Sequence, residues 1–411
     1  MNRIYLVGKH IDYSLSPRIY NMLGIEYEIK NISTDKELEA FIQKKEFIGF
    51  NVTIPYKEKV IKYLDQLSDV AKKTNVVNTV KNENRKLVGY NTDYYGVSKE
   101  FSGIDFKNKK TLILGSGATS RTFSTYCIEQ GCEPMIISRQ NSKYNYVNIS
   151  QHYDAEIVIN TTPVSGANMP DEKLIDITKF KNLQYALDVN YLPHRTQLSN
   201  NTKAKYLGGL PMLIWQAMMS YKIYTGKIPN VAFEEVYRKI LFDTINISLI
   251  GMPCVGKTTV GKELANRLNR TYIDLDCEIE KEADKTIEEI FNQSGEKYFR
   301  DLETNTLKRF AYENSQIIST GGGVILREGN RHLLKANSII VELRTSRDIK
   351  DYQGRPLLKT ESAYKELQSE RAPLYGSLAN VVVYNDKKIE NTVEEIIKKV
   401  EEFINEKNTS Y

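Results

Sequence analysis

Short apolar runs alternate with longer stretches of helical periodicity along the whole chain. "RIYLVG", "IGFNVTI" (48–54) and "KLVGYNT" (86–92) read as buried strands, with helices predicted over "KELEAFIQKK" (36–45) and "KEKVIKYLDQLS" (57–68). Strands spaced by helices predict an α/β unit with a largely parallel sheet. A second unit starts at "KTLILGSG" (110–117), where an apolar strand runs straight into a glycine turn. It continues through "EPMIISR", "EIVINTTP" and "QYALDVNY", then through two helical segments at 211–226 and 229–242. A third unit opens at "NISLIG" (246–251) as strand, glycine loop and helix. No Ser/Gly/Pro-rich linker precedes it, so the join is expected at Asp243 to Ile245. The predicted domains are 1–100, 101–242 with its last helices returning to the first domain, and 245–411.

Composition narrows the class. The 411 residues are 27% charged and 41% hydrophobic, the balance of a soluble globular protein. A net charge of +5 is too small and too scattered to argue for nucleic acid, and "FKNKK" (106–110) reads as a solvated loop. Small anionic substrates fit it. Cys127, Cys132, Cys254 and Cys277 have neither metal-ligand spacing nor a secretory framework, which fits a reducing compartment. No apolar run reaches membrane-spanning length, and "MNRIYLVGKH" lacks a signal peptide's apolar core. The expected setting is cytoplasmic, without membrane or nucleic-acid partners; the oligomeric state stays open, a homodimer included.

Two glycine loops carry the chemistry. In "LILGSGATSRT", Gly115 and Gly117 stand where a strand turns into a helix, with Ser116, Ala118 and Thr119 completing the turn. Glycine there lets backbone approach a pyrophosphate, and the helix N-terminus supplies amides. The third glycine of the usual fingerprint is absent. After the next strand, Ser138, Arg139 and Lys143 occupy the place where an acidic residue would bind an adenosine ribose diol. Positive charge there suits a 2′-phosphate, so NADP is expected over NAD. A solvated Arg and Lys is the plainer alternative for that one feature.

Six segments flank this loop in order: "YSLSPRIYN" (13–21), "NVTIPYK" (51–57), "NVVNTV" (75–80), "GYNTDYYG" (89–96), "DVNYLPHRTQL" (188–198) and "GGLPMLIWQA" (208–217). Together they resemble shikimate dehydrogenase over residues 1 to about 242. The resemblance implies a substrate domain joined to a Rossmann-like NADP domain. It implies that Ser14 and Ser16 bind the substrate carboxylate and that Thr53, Asn78 and Gln216 bind its hydroxyls. Tyr191 would close over the pocket, Gly209 would lie near the nicotinamide, and Lys57 with Asp93 would be the catalytic pair. The chemistry is sound on first principles: ketone reduction needs a proton for the developing alkoxide, and an ammonium held by a carboxylate supplies it. Departures are Tyr13 and Tyr20, where the family often has histidines, and Asn75-Val76 in place of Gly-Ala.

The second loop, "GMPCVGKTT" (251–259), fits G-x-x-x-x-G-K-[ST] fully. Gly251, Pro253, Cys254, Val255, Gly256 and Thr259 would wrap the phosphates, Lys257 would reach the outer two, and Thr258 would ligate Mg2+. Cys254 stands where many relatives have glycine and reads as an inert loop residue. In "YIDLDCEIE" (272–280), Asp274 and Asp276 share one side of a presumed strand by its two-residue period. "IEEIFNQSGEKYFRDLE" (287–303), "STGGGVIL" (319–326), "GRPLL" (354–358) and "ERAPLYGSLA" (370–379) follow. This part resembles shikimate kinase over residues 245–411, a P-loop α/β domain with a parallel sheet. The resemblance implies that Arg300 and Arg371 clamp the shikimate carboxylate while Gly321, Gly322 and Gly323 admit its ring. Asp276 would take the proton of the attacking hydroxyl, Asp274 would hold Mg2+, and Arg355 would neutralise the moving phosphoryl group. The segment "RDIKDYQG" before "RPLL" is short for that family's lid.

The expected protein is therefore a bifunctional enzyme of aromatic amino acid biosynthesis, using NADPH, ATP and Mg2+ on 3-dehydroshikimate and shikimate. The alternative is an active dehydrogenase, of NADP or quinate/NAD type, whose P-loop domain only senses nucleotide or shikimate.

Overall fold

Strand β1 (Ile4–Gly8) carries the first apolar run, and its neighbours β2 (Tyr27–Asn31) and β3 (Gly49–Val52) both lie parallel to it. Helices α1 (Ser16–Met22) and α2 (Asp35–Lys44) make the two crossovers. The computed structural model describes residues 3–199, 203–347 and 360–406. Among these, residues 3–191 and 196–240 form one compact unit, and residues 192–195 with 241–406 form another. Helix α2 starts at Thr34, whose side chain accepts from the Glu37 amide, and stops at Lys45 in a left-handed turn, φ 53°. It buries Leu38, Phe41 and Ile42 on the sheet, where Phe41 and Phe47 stand 5.3 and 4.9 Å from Phe50.

This first sheet corrects two expectations. Residues 57–68 do not form one helix: a 3-10 turn spans Lys59–Tyr63 and a short strand, β4, spans Gln66–Leu67. The reason is competition for backbone, since Asp65 and Ser68 give their amides to the carbonyls of Leu87 and Gly89 at 2.9 Å each. After α3 (Asp69–Thr74), strands β5 (Thr79–Glu83) and β6 (Lys86–Tyr90) pair antiparallel, so the sheet is mixed, in the order β2-β1-β3-β5-β6-β4. Asn84 and Arg85, with φ of 53° and 66°, make the two-residue turn that joins them.

Helix α4 (Thr92–Glu100) leads to a second sheet built from β7 (Thr111–Leu114), β8 (Met135–Ile137), β9 (Ile157–Asn160), β10 (Tyr185–Asp188) and β11 (Lys205–Leu207). Its order is β11-β10-β9-β7-β8 and every pairing is parallel. Strands β7 and β9 are buried at every position, as a sheet covered on both faces requires. Helix α5 (Ala118–Glu129) follows β7, and α6 (Leu210–Thr225) returns to pack on α4. That approach needs Gly96: a Cβ there would lie 2.7 Å from the Met212 carbonyl oxygen. Helix α7 (Phe233–Thr244) stacks Phe233 on Trp215 at 4.1 Å and ends one residue before the next strand.

The second unit has one all-parallel sheet, in the order β13-β14-β12-β15-β16. Its chain runs β12 (Asn246–Ile250), α8 (Lys257–Leu268), β13 (Thr271–Asp274), α9 (Leu275–Ala283), α10 (Ile287–Ala311) and β14 (Gln316–Ser319). It continues through α11 (Glu328–Asn337), β15 (Ser338–Arg344), α12 (Glu361–Leu378), β16 (Val381–Tyr384) and α13 (Ile389–Glu406). Helix α10 is broken at Gly295, φ 78°. Within this unit His194 is buried: its ring lies 2.8 Å from the Thr244 hydroxyl, and burial lowers its pKa to about 3.

Asp274 and Asp276 do not share a strand face. Strand β13 ends at Asp274, which caps α9 by accepting from the Cys277 amide, and Asp276 lies in the helix's first turn. A carboxylate is a good N-cap, so the strand stops at the first one.

Helix α13 buries Val393, Ile396, Val400 and Ile404 along one stripe. Ile396 is wholly inaccessible. Ile396→Ala should lower the unfolding free energy of the second unit by about 2–5 kcal/mol, read from urea denaturation followed by circular dichroism. A loss below about 1 kcal/mol would mean that this helix is not part of the core.

Candidate functional site

Lys57 follows β3 and Asp93 sits in the first turn of α4, and their side chains meet with Nζ 2.6 Å from Oδ2. Both are largely buried, at 13% and 9% exposure, so the bridge is only weakly screened by solvent. The other carboxylate oxygen of Asp93 accepts from Asn78 Nδ2 at 2.8 Å. Asn78 is turned that way because its Oδ1 accepts the Thr92 backbone amide at 2.7 Å. Gln216, on α6, places Oε1 3.4 Å from Asn78 Nδ2. Four of the expected residues are thus joined in one chain of polar contacts.

Ser14 and Tyr191 form a second group. The Tyr191 phenol hydrogen-bonds the Ser14 side chain and the Leu15 backbone, and burial raises its pKa. Ser14 Oγ also accepts the Ser16 amide at 3.2 Å, at the start of α1. Thr53 packs its methyl on Gly8, where a Cβ would collide with it. Asp188, which the sequence did not single out, anchors the turn before Tyr191. It accepts from Thr196 Oγ1 at 2.7 Å and from the Asn190 amide at 2.9 Å. Burial lifts its pKa to about 6, with the bonds from Thr196, Asn190 and Asn160 pulling the other way. Gly209 is pressed onto this turn, with no room for a Cβ beside the Val189 carbonyl.

The first glycine loop runs from β7 into α5. Gly115 takes φ +106°, and a Cβ on it would stand 2.8 Å from the Thr162 methyl. Gly117 caps α5 and has open space around it, and Ser116 beside it is exposed. Ala118 and Thr119 are half-buried in the first turn of α5. Ser138 is buried after β8, while Arg139 and Lys143 are exposed. The Lys143 ammonium lies 4.9 Å from the Tyr144 ring centre. Asn141, missed in the sequence, shapes this loop by accepting the Lys143 and Tyr144 amides at 3.0 Å each. Asn within a Ser/Asn-rich turn is the signal that was available.

In the second unit the phosphate-type loop has Gly251, Cys254 and Gly256 at φ 142°, 68° and 93°. The Lys257 ammonium donates to the Gly251 and Met252 carbonyls, 2.9 Å each. Val255 is buried and its carbonyl accepts from Asn385 Nδ2 at 3.0 Å, while Cys254 and Thr259 are exposed. Thr258 Oγ1 donates to Asp274 Oδ2 at 2.9 Å, and the Tyr272 phenol reaches the same oxygen at 3.0 Å. These are hard oxygen donors of the kind Mg2+ takes. Among the described residues no group of three or more His, Cys, Asp and Glu gathers as a metal cluster.

Gly321 lies against Asp276: a Cβ there would be 2.7 Å from Oδ1 and 3.1 Å from Glu303 Oε1. Pro253 of the loop abuts Gly322, and the Arg300 guanidinium fills the space where Gly323 would carry a Cβ. Glu303, wholly buried, holds Arg300 through both oxygens at 3.1 and 2.9 Å. Burial lifts the Glu303 pKa to about 7, opposed by Arg300. Its spacing of three from Arg300 on a helix was visible in the sequence. Arg371 is buried and hydrogen-bonds Tyr375, whose phenol donates to the Gly322 carbonyl. Among the described residues Arg371 Nε has no partner, as suits an anion receptor. Arg355 and the shortened lid segment lie outside the described residues.

The shikimate dehydrogenase substrate binding domain model matches residues 6–80. A shikimate dehydrogenase (NADP(+)) of Clostridium botulinum is 35% identical over 240 residues, covering 52% of this chain and 92% of the relative. The chain belongs to the shikimate dehydrogenase family. Shikimate dehydrogenase 1 from Peptoclostridium difficile shares its fold, with a TM-score of 0.54 and 33% identity over 59% of this chain and 98% of that one. Shikimate 5-dehydrogenase from Thermus thermophilus, solved in complex with NADP(H) and shikimate, gives a TM-score of 0.52 and 27% identity over 58% and 99%. Fused behind the dehydrogenase is a second enzyme domain, because the shikimate kinase model matches residues 253–401. No helix among the described residues is long and apolar enough to cross a membrane.

The buried carboxyl at the end of β10 has a pH consequence. Its folded pKa of about 6 lies above the ordinary 3.8, so the folded chain binds the extra proton more tightly. The resulting stabilisation is complete below about pH 3.8 and is lost as pH rises through about 6. Asp188→Asn should flatten the dependence of dehydrogenase-unit stability on pH between about 4 and 6. Parallel denaturation midpoints for the two proteins across that range would refute this.

Proposed function

We propose that this chain reduces 3-dehydroshikimate to shikimate with NADPH and then phosphorylates shikimate with ATP, giving shikimate 3-phosphate. The observation that carries the reading is the buried Lys57–Asp93 bridge of 2.6 Å in a chain that also holds a shikimate kinase domain. In this reading residues 1–100 bind the ring substrate, 101–242 bind NADPH, and 245–411 form the kinase. A sensing role for the P-loop domain is not favoured, since the kinase match runs from the phosphate loop into α13.

NADPH held at Gly115–Thr119 supplies the hydride. Lys57 would give its Nζ proton to the alkoxide that forms at the reduced carbon, and Asp93 aims that Nζ. Ser14 and Ser16 bind the carboxylate, and Thr53, Asn78 and Gln216 the hydroxyls, beneath Tyr191. Gly209 leaves room for the nicotinamide, and Arg139 and Lys143, with Ser138, take the 2′-phosphate.

In the kinase half, Arg300 and Arg371 hold the shikimate carboxylate, a planar anion that guanidinium geometry fits. Gly321, Gly322 and Gly323 let the ring approach backbone. Asp276 accepts the proton of the attacking hydroxyl. Lys257 would bind phosphate oxygens, and Thr258 and Asp274 would hold Mg2+, which would offset phosphate charge. Arg355 neutralises the transferring group. Both residue sets belong to one chain, so the reading needs no second copy, and a homodimer is compatible with it. The four cysteines form no disulfide, which fits a cytoplasmic setting.

The cofactor assignment is tested by replacing Arg139 and Lys143 together with alanine. The Michaelis constant for NADPH should rise by about tenfold or more while that for NADH changes little. Equal effects on both would place 2′-phosphate recognition elsewhere. The pairing of activities is tested with the intact chain, 3-dehydroshikimate, NADPH, ATP and Mg2+. Shikimate 3-phosphate should form without another enzyme. Asp276→Ala should oxidise NADPH normally and accumulate shikimate, whereas Lys57→Ala should phosphorylate added shikimate but leave 3-dehydroshikimate untouched. An unaltered chain that stops at shikimate would reduce the second half to a binding module.

A further inference from the structure

Beneath the Lys57–Asp93 bridge lies a set of polar side chains that neither reaction uses directly. Thr79, Thr92 and Ser220 come from β5, α4 and α6, and their hydroxyls stand 3.0, 2.8 and 2.9 Å from one another. All three are inaccessible, at 0–2% exposure. Each hydroxyl has one proton to give, so the protons have to be shared out without two donors facing each other. Ser220 donates to the Gln216 carbonyl one turn back at 2.9 Å, and Thr92 donates to Asn78 Oδ1 at 3.0 Å. Thr79 lies 3.1 Å from that same Oδ1 and accepts from Asn51 Nδ2 at 2.9 Å. Asn51 is its partner across the β3–β5 pairing.

The orientation of Asn51 is fixed from its far side. Its Oδ1 accepts two phenols, Tyr20 at 2.8 Å and Tyr27 at 2.9 Å, and the two rings stack 4.0 Å apart. The amide nitrogen therefore points inward, to Thr79 and to the Asn78 carbonyl at 3.2 Å. At the near end, Asn78 Oδ1 faces the Thr92 amide, which leaves Nδ2 for Asp93. Were the Asn78 amide reversed, its oxygen would face a carboxylate and its NH2 would face an N–H, both repulsive in a buried site. The Asn51 and Asn78 amides are thereby each held in one orientation. Tyr20, where the family often has histidine, thereby acquires a task.

We propose that Thr79, with Ser220 and the stacked pair Tyr20–Tyr27, is a positioning residue of the dehydrogenase: through Asn51 and Thr92 this network holds Asn78 with its amide nitrogen on Asp93. Asp93 in turn aims Lys57. The inference rests on the dehydrogenase reaction assigned above. It assigns the network a share in the chemical step, distinct from cofactor binding at the glycine loop.

The test compares Thr79→Val, which keeps the shape and removes the hydroxyl, with Thr79→Ser, which restores the hydroxyl. Both are measured in the full chain for NADPH-dependent ketone reduction. Phosphorylation of added shikimate by the same preparation, together with the melting curve, reports on folding. Thr79→Val should lower kcat by about tenfold or more with the KM for NADPH within about twofold, and Thr79→Ser should regain most of it. Tyr20→Phe and Tyr27→Phe should each be mild, because Asn51 Oδ1 keeps one phenol, while the double variant should match Thr79→Val. An unchanged kcat in a folded Thr79→Val chain overturns the proposal, as does a Thr79→Ser chain equally impaired. If Thr79→Val does not fold, the double phenylalanine variant decides alone, and a normal kcat there overturns it. An unaltered chain without any ketone reduction overturns instead the reaction on which the proposal rests.

Discussion

Parallel sheets buried on both faces impose the constraint on which both nucleotide sites depend. Such strands spend all their backbone groups on neighbours, so polar loops collect only where the strands end. In the second sheet, β7 leads into Gly115, β9 delivers Thr161 and Thr162 beside it, and β10 ends at Asp188. In the third, β12 delivers Gly251, β13 ends at Asp274, and β14 leads to Gly321 against Asp276. The mixed first sheet departs from this rule. Its antiparallel hairpin brings Asn78 and Asp93 together from either side of β5 and β6, beside the lysine that follows β3.

The sequence disclosed what depends on local pattern. Apolar runs meeting glycine marked β7 and β12, and the spacing of Lys257 and Thr258 after Gly251 marked the loop that folds around them. Lys57 and Asp93 were legible through the motifs around them, and they do meet. What stayed hidden depends on partners distant in the chain. The carbonyls of Leu87 and Gly89 drew residues 65–68 out of a helix-like pattern into an edge strand. A two-residue period would put Asp274 and Asp276 on one strand face, but the capping strength of Asp274 ends that strand first. Asn51 and Ser220 meet across 169 positions, a separation that no local periodicity reports.

Two buried carboxyls show how differently one fold answers the same cost. Asp188 is met only by neutral donors, Thr196, Asn160 and Asn190, so desolvation dominates and the proton is held more tightly. Glu303 is met by a guanidinium, yet it too is pushed upward, because desolvation outweighs the pull of Arg300, with Asp276 adding like charge nearby. The first organises a turn beneath Tyr191. The second fixes Arg300 through both of its oxygens, so that guanidinium has already given up its side-chain freedom in the folded chain.

Lys257 stabilises the loop from which it extends, through the carbonyls of Gly251 and Met252. Those two acceptors are turned inward, and the residue after Met252 is Pro253, which has no N–H of its own. With those carbonyls turned to Lys257, the loop's outer rim is left poorer in acceptors. The same ammonium is thus committed to the shape of the loop that carries it. A neutral side chain at this position removes the charge and releases both carbonyls together.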